Sequence, residues 1–213
     1  MENDLLEKLV DKSITKEELT ETVKQNFDLL PDILNGVSST KPQIRYGCGK
    51  ILMDLSEEKP EKLYPHMNFF IELLDSNYRI LTWQAMAVIA NLTKVDTGNK
   101  FDSIFDKYYS FLNNEYMVTV ANIVGHSGKI AQAKHHLIKK ITKELLKVEK
   151  IETTPHLTPE CKNVIVEKAI KSFDMFFDQV ENKDEVILFV KRQLNNTRKT
   201  VRTAAEKFLD RWT

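Results

Sequence analysis

Residues 41–55, Lys41-Pro-Gln-Ile-Arg-Tyr-Gly-Cys-Gly-Lys-Ile-Leu-Met-Asp-Leu55, return in kind further along the chain. A shift of 157 residues lays Ile44 on Val201, Arg45 on Arg202, Cys48 on Ala205, Leu52 on Leu209 and Leu55 on Trp212. A shift of 37 lays Ile44 on Leu81, Tyr46 on Trp83, Cys48 on Ala85 and Leu55 on Leu92, and a further 36 lays Ala85 on Ala121. A unit that recurs at such a period cannot bury its apolar face alone, so like units must stack on one another. At about 100° per residue, Ile44, Cys48, Ile51, Leu52 and Leu55 form one helical stripe. Pro42 stands at the helix start, where its missing N–H costs nothing. The small residues at 47–49, 85 and 204–205 let helix backbones approach closely.

The rest of the chain reads as alternating helices with short turns. Helices are expected over 28–36, 66–75, 78–94, 101–112, 114–127, 130–149, 159–180, 184–194 and 197–212. Asp4 is placed to cap a first short helix, and Thr15 with Glu18 forms a capping box for a second. These two helices, within 1–27, are expected to be the polar cap a stack needs at its end. Residues 150–159, with two Pro, are the longest irregular stretch and a candidate joint within a single domain spanning 1–213. Six Gly and six Pro in 213 residues leave little material for a turn-rich β fold.

The pattern of hydrophobic residue, Arg, small pair and Leu resembles the second helix of a HEAT repeat. It is carried by Ile44, Arg45, Cys48, Gly49 and Leu52, and again by Val201, Arg202, Ala205 and Leu209. At 81–92 the hydrophobic and small positions match, but Thr82 stands in place of the Arg, and the polar tie is expected to be lost there. The run Ile44-Arg-Tyr-Gly-Cys48 also resembles a prokaryotic group of HEAT-like proteins. The resemblance implies an all-α, right-handed α-α superhelix (an armadillo-type, HEAT-like solenoid) of about five helix pairs. It implies a binding scaffold and no chemistry.

A solenoid of this kind presents its second helices on an inner face. Counting from Cys48, the outward residues are Tyr46, Lys50 and Met53, then Trp83, Ala87 and Ala90, then Thr119, Ile123 and His126, and last Thr203, Lys207 and Asp210. Tyr46 and Trp83 are equivalent positions, and aromatic side chains with a polar tip are frequent interface anchors. The expected site for a protein or peptide partner is therefore Tyr46, Lys50, Trp83 and His126. The alternative partner is nucleic acid, held by Lys139, Lys143, Lys147, Arg198, Lys199 and Arg202, although a sequence pI near 7.0 argues against it.

Enzyme motifs are missing: there is no phosphate-cradling Gly-rich loop with its Lys, no Gly-x-Ser-x-Gly and no His-Glu-x-x-His. Some HEAT-like proteins are DNA glycosylases, but Trp83 is the one element in common, and its surroundings are not basic. Adjacent His135 and His136 diverge on a helix, and Cys48 and Cys161 lie far apart, so no metal, cofactor or disulfide is expected. No apolar run is long enough for a membrane span, and the acidic start Met1-Glu-Asn-Asp4 is unlike a signal peptide. A cytoplasmic, non-enzymatic scaffold is the expectation. Charge is uneven, with 18 acids against 12 Lys/Arg over 1–106 and 13 against 19 thereafter, an asymmetry able to steer a partner.

Overall fold

Helix starts in this chain are marked by local chemistry, and the architecture follows from how those starts repeat. The computed structural model describes residues 4–213. The Asp4 side chain, expected as a cap, and the acidic start before it lie outside the described residues. Contacts divide the chain into two compact units, one ending at Lys100 and one beginning at Phe101.

The first unit contains α1 (Asp4–Val10), α2 (Lys16–Gln25), α3 (Leu30–Gly36), α4 (Pro42–Glu58), α5 (Pro60–Leu63), α6 (Met67–Leu73) and α7 (Arg79–Leu92). The capping box forms as expected: Glu18 N donates to Thr15 Oγ1 at 3.1 Å, and Thr15 N donates to Glu18 Oε2 at 2.8 Å. Helix α4 packs on α3 of its own pair, with α2 on one side and α7 on the other. Ile44, Cys48, Ile51, Leu52 and Leu55 are each no more than 1% exposed, so the stripe is the core. Full burial of each large aliphatic member is worth roughly 1.5–3 kcal/mol. Gly49 sets the α4–α7 separation, since a Cβ there would stand 2.0 Å from Gln84 Oε1 and 3.2 Å from Leu81 Cδ2. Lower in the same interface, Asn91 Nδ2 donates to Ser56 Oγ at 2.9 Å, and both residues are buried.

The second unit holds α8 (Lys100–Ser110), which opens at the unit boundary, then α9 (Met117–Ala133), α10 (Ile138–Leu146), α11 (Pro159–Asp174), α12 (Lys183–Arg192) and α13 (Lys199–Trp212). Helix α9 packs along α11, which packs in turn on α13. Phe173, Phe176, Phe177, Phe189 and Phe208 are almost wholly buried between these helices. Trp212 closes the end, its Nε1 donating to Asp174 Oδ1 at 2.7 Å and its ring centroid 5.3 Å from that of Phe177.

Several boundaries differ from the sequence reading. Helix α9 runs straight through Gly125 and Gly128 to Ala133, and the next helix begins only at Ile138, so 130–149 is not one helix. Gly128 is a packing residue and does not stop the helix: a Cβ there would meet Ser172 O at 3.1 Å and Ser172 Cα at 3.2 Å, on α11. Helix α11 ends at Asp174, short of 180, because Met175 N and Phe176 N turn to i−3 acceptors at Ser172 O and Phe173 O. Residues 151–158 are irregular as expected, but they are fastened down. Thr154 Oγ1 donates to Glu115 O at 2.8 Å, His156 stacks on Tyr116 at 4.7 Å, and Leu157 is fully buried.

The repeat itself proves more regular than its hydrophobic residues suggest. Lys41, Tyr78, Tyr116 and Arg198 are the N-caps of α4, α7, α9 and α13. Two residues before each stands a Ser or Asn whose side chain accepts the N-cap N–H: Ser39 (3.2 Å), Ser76 (3.1 Å), Asn114 (3.0 Å) and Asn196 (2.9 Å). Such turns hold the chain in the extended conformation an N-cap needs. They also fix register: α7 and α9 start 38 residues apart, so Ala85 corresponds to Ile123 and not to Ala121. The two-residue error swings the inferred outward face through roughly 200°. Thr119 and Ile123, expected outward, are buried. Ala87 and Ala90 are buried too, because α7 is covered along most of its length.

Candidate functional site

Arg45 is the side chain around which the most distinctive surface of the first unit is arranged. Its Nη1 donates to Ser39 O at 2.8 Å and reaches Thr40 O at 3.4 Å, tying the turn to the helix it precedes. Arg202 makes the same tie to Asn196 O at 2.7 Å and Thr197 O at 2.9 Å. Thr82 keeps a remnant of it, with Oγ1 at 3.5 Å from Ser76 O, so the expected loss there is incomplete. Only Arg45, however, is also enclosed by rings. Its guanidinium carbon lies 3.7 Å from the Tyr78 centroid and 4.8 Å from that of Tyr46, and Nη2 stands 3.4 Å from Tyr46 Oη. The two rings meet edge to face at 6.3 Å. A guanidinium over an aromatic face is attracted by the ring quadrupole, and more strongly where water is excluded.

The outcome is an aromatic residue held in one orientation at the edge of a groove of about 720 Å³. One wall is the α1–α2 turn, contributing Lys12, Ile14 and Lys16; the other is the exposed side of α4, with Pro42, Tyr46 and Lys50. Gln84 reaches in from α7 and donates Nε2 to Tyr46 O at 3.1 Å. Lys50 forms an ion pair with Asp54 one turn further along α4.

Of the residues expected to bind a partner, Tyr46 and Lys50 thus share one groove. Trp83 is half-buried on α7 and is not part of that lining. His126 is half-buried in the middle of α9, in the second unit. Tyr78 and the Lys12–Lys16 rim were missed. The sequence signal for Tyr78 is its N-cap position, one repeat beyond Lys41. The signal for the rim is the pair Lys12 and Lys16, on either side of the capping residue Thr15.

The basic set is largely engaged. Lys139 pairs with Glu181 at 3.2 Å, Lys147 with Glu144 at 2.7 Å, and Arg198 with Glu160 and, at 3.8 Å, Glu167. Arg202 is held on its turn carbonyls, while Lys143 and Lys199 are exposed. His136 and Lys134 converge on Asp102, Lys134 at 3.4 Å. Burial pushes the Asp102 carboxyl up, but His136 and then Lys134 outweigh it and hold the group below its ordinary value. Both cysteines are free thiols; burial pushes Cys48 up to about 12, which leaves it without a nucleophilic thiolate near neutral pH. Among the described residues no cluster of His, Cys, Asp or Glu could hold a metal, and no helix is long and apolar enough to cross a membrane.

No protein-family model matches the chain, and the search of curated proteins matches none. Solved structures do match over nearly the whole length. A designed armadillo repeat protein in complex with the peptide (KR)4 is similar at a TM-score of 0.66 and 14% identity, covering 98% of this chain and 91% of that one. A second designed armadillo repeat protein gives 0.62 and 16% identity, covering 98% and 92%. At such identities the likeness speaks for the fold alone. Joined to the recurring turns and the stacked second helices, it makes this chain an all-α, armadillo-type (HEAT-like) solenoid of about five helix pairs.

Proposed function

We propose that the chain is a non-enzymatic scaffold that captures an extended peptide segment of a partner protein. The segment lies in the groove between the α1–α2 turn and α4, with Tyr46 as its anchor. The observation that carries this reading is the Arg45–Tyr46–Tyr78 stack at the edge of a groove of about 720 Å³. A rigid aromatic loses little conformational freedom on binding, which is the property that makes such residues hot spots. The volume is in the range that ligand sites occupy, roughly 300–1,000 Å³. The armadillo-type neighbour in complex with a peptide supports the same use of the fold. Lys50, with its head group on Asp54, offers its alkyl stem to the groove floor. Free Cys48 and Cys161 support a reducing, cytoplasmic setting.

The test is a selection of displayed random peptides on the intact chain, followed by affinity measurement on variants. Selected peptides should lose at least about tenfold in affinity on Tyr46→Ala, equivalent to about 1.4 kcal/mol. Trp83→Ala should change affinity less, since Trp83 is outside the groove lining. Peptides that bind Tyr46→Ala as tightly as the parent would overturn the groove as the site.

A further inference from the structure

We infer that the groove selects acidic peptides: its occupant is an extended segment in which carboxylate side chains alternate with apolar ones. This rests on the groove reading above and adds the sign of the partner's charge. The ionisable side chains lining the groove are Lys12, Lys16 and Lys50 against Glu17 alone. That bias runs against its setting, because residues 1–100 carry 16 acids and 12 Lys/Arg. Lysines of this unit with acidic partners include Lys24 with Glu58 and Lys41 with Glu7, while Lys59, Lys62 and Lys94 form no ion pair among the described residues but do not line the groove. Lys50 likewise has Asp54. Lys12 and Lys16 form no ion pair among the described residues, and both are exposed on the groove's rim.

Backbone geometry singles out Lys12 a second time. The turn after α1 is closed by Ile14 N donating to Lys8 O at 3.2 Å, and Lys12 sits within it at φ 62°. This left-handed position at a helix end is one that Gly or Asn fills with least strain. A lysine there carries a conformational cost that Gly would avoid, and it is an exposed lining residue of the groove. Lys16 is anchored at its stem: its Cγ lies 3.9 Å from where a Cβ on Gly47 would stand, so the chain lies across the α4 backbone before its head group reaches solvent. Between the two cations the walls are apolar, from Leu9, Ile14, Pro42 and the Tyr46 ring. Successive side chains of an extended segment point to opposite sides. Alternation then lets carboxylates meet the lysine rim while apolar residues enter the groove. A basic peptide would bring like charges together at the same rim, where effective dielectric screening is weaker than in bulk water.

Fluorescence anisotropy with the full chain and three labelled octapeptides, (Glu-Leu)4, (Ser-Leu)4 and (Lys-Leu)4, tests this. In about 50 mM salt (Glu-Leu)4 should bind at least about tenfold more tightly than (Ser-Leu)4, with (Lys-Leu)4 weakest, and the gap should narrow in about 300 mM salt as the charges are screened. Lys12→Glu with Lys16→Glu should invert the order; circular dichroism would show that the variant is folded, and Lys12→Gly serves as a second variant free of backbone strain. Equal affinity for acidic and neutral peptides, both lost on Tyr46→Ala, would overturn the charge inference and leave the groove reading intact. Tightest binding of (Lys-Leu)4 would also overturn it. Failure of all three peptides to bind would sink the groove reading and this inference together.

Discussion

Helices α4 and α13 carry the same motif and the same arginine, yet the two arginines sit in different surroundings. Arg45 and Arg202 each hold the two carbonyls of the preceding turn at closely similar spacing. Arg45 is 6% exposed, lying over the Tyr78 ring with Tyr46 beside it; Arg202 is half-buried with no ring against it among the described residues. The motif is therefore a structural fastening, and the binding surface arises from what the neighbouring turn and helices place around it.

Four changes break or sharpen this contrast. The largest effect belongs to the small residues that set helix separation. Gly128→Val should cost about 3–4 kcal/mol in urea unfolding, since its side chain meets the α11 backbone. Gly47→Ala should be close to neutral, because the nearest atom is a flexible Leu9 methyl at 3.3 Å and alanine favours helix by about 1 kcal/mol. Equal losses would show that both glycines are spacers.

Next come the arginines. Arg45→Ala should cost about 3 kcal/mol and Arg202→Ala about 1 kcal/mol, because the first side chain is buried and its loss leaves two rings as well as two turn carbonyls without their partner. Arg45→Lys should recover little of the loss, as an ammonium cannot lie flat over the Tyr78 ring while holding the turn carbonyls. Similar values for the two alanine variants would remove the distinction between them.

Within the α4–α7 interface, Asn91→Ala should cost about 2 kcal/mol by leaving Ser56 Oγ without its buried donor. Thermal unfolding of Asn91→Ala beside the double variant with Ser56→Ala measures the coupling, and a vanishing coupling would mean the bond contributes nothing net.

The smallest effect is electrostatic and lies in the second unit. Asp102 has a folded-state pKa below its unfolded one, so its contribution is present above the unfolded pKa and is lost as pH falls through the folded value. Asp102→Asn should therefore be less stable than the parent at pH 7, by under about 1 kcal/mol given the part-exposed pair, and the difference should shrink as pH falls through the folded-state value. A difference that persists unchanged at low pH would assign the loss to packing.

Much of this architecture could be read from residue types because a stack of like layers asks for the same side chains each time. Ile44, Cys48 and Leu52 are buried as the periodicity requires, as are Leu81, Ala85, Ile89, Val201 and Ala205, while Leu209, the counterpart of Leu52, is half-buried in the last helix. What misled the reading was assigning one cause to residues with two uses. The helix expected over 114–127 runs on past Gly128, because that glycine serves a close approach to α11. Ala85 was matched to Ala121 by smallness, whereas the polar turn residues Ser39, Ser76 and Asn114 give the register directly. At the groove, Tyr46 and Lys50 were legible from one helix alone. Tyr78, Lys12 and Lys16 were not, because their proximity depends on how three successive layers meet, which no single helical period encodes.

The lock formed two residues before each N-cap has an evolutionary corollary. A stretch of gene running from one such turn to the next encodes a segment whose two joints are chemically interchangeable. Unequal recombination at Ser39 and Ser76 would delete or duplicate a layer while leaving an intact turn at the scar. Lengthening or shortening of the array is thereby a matter of copying, with no new junction to invent.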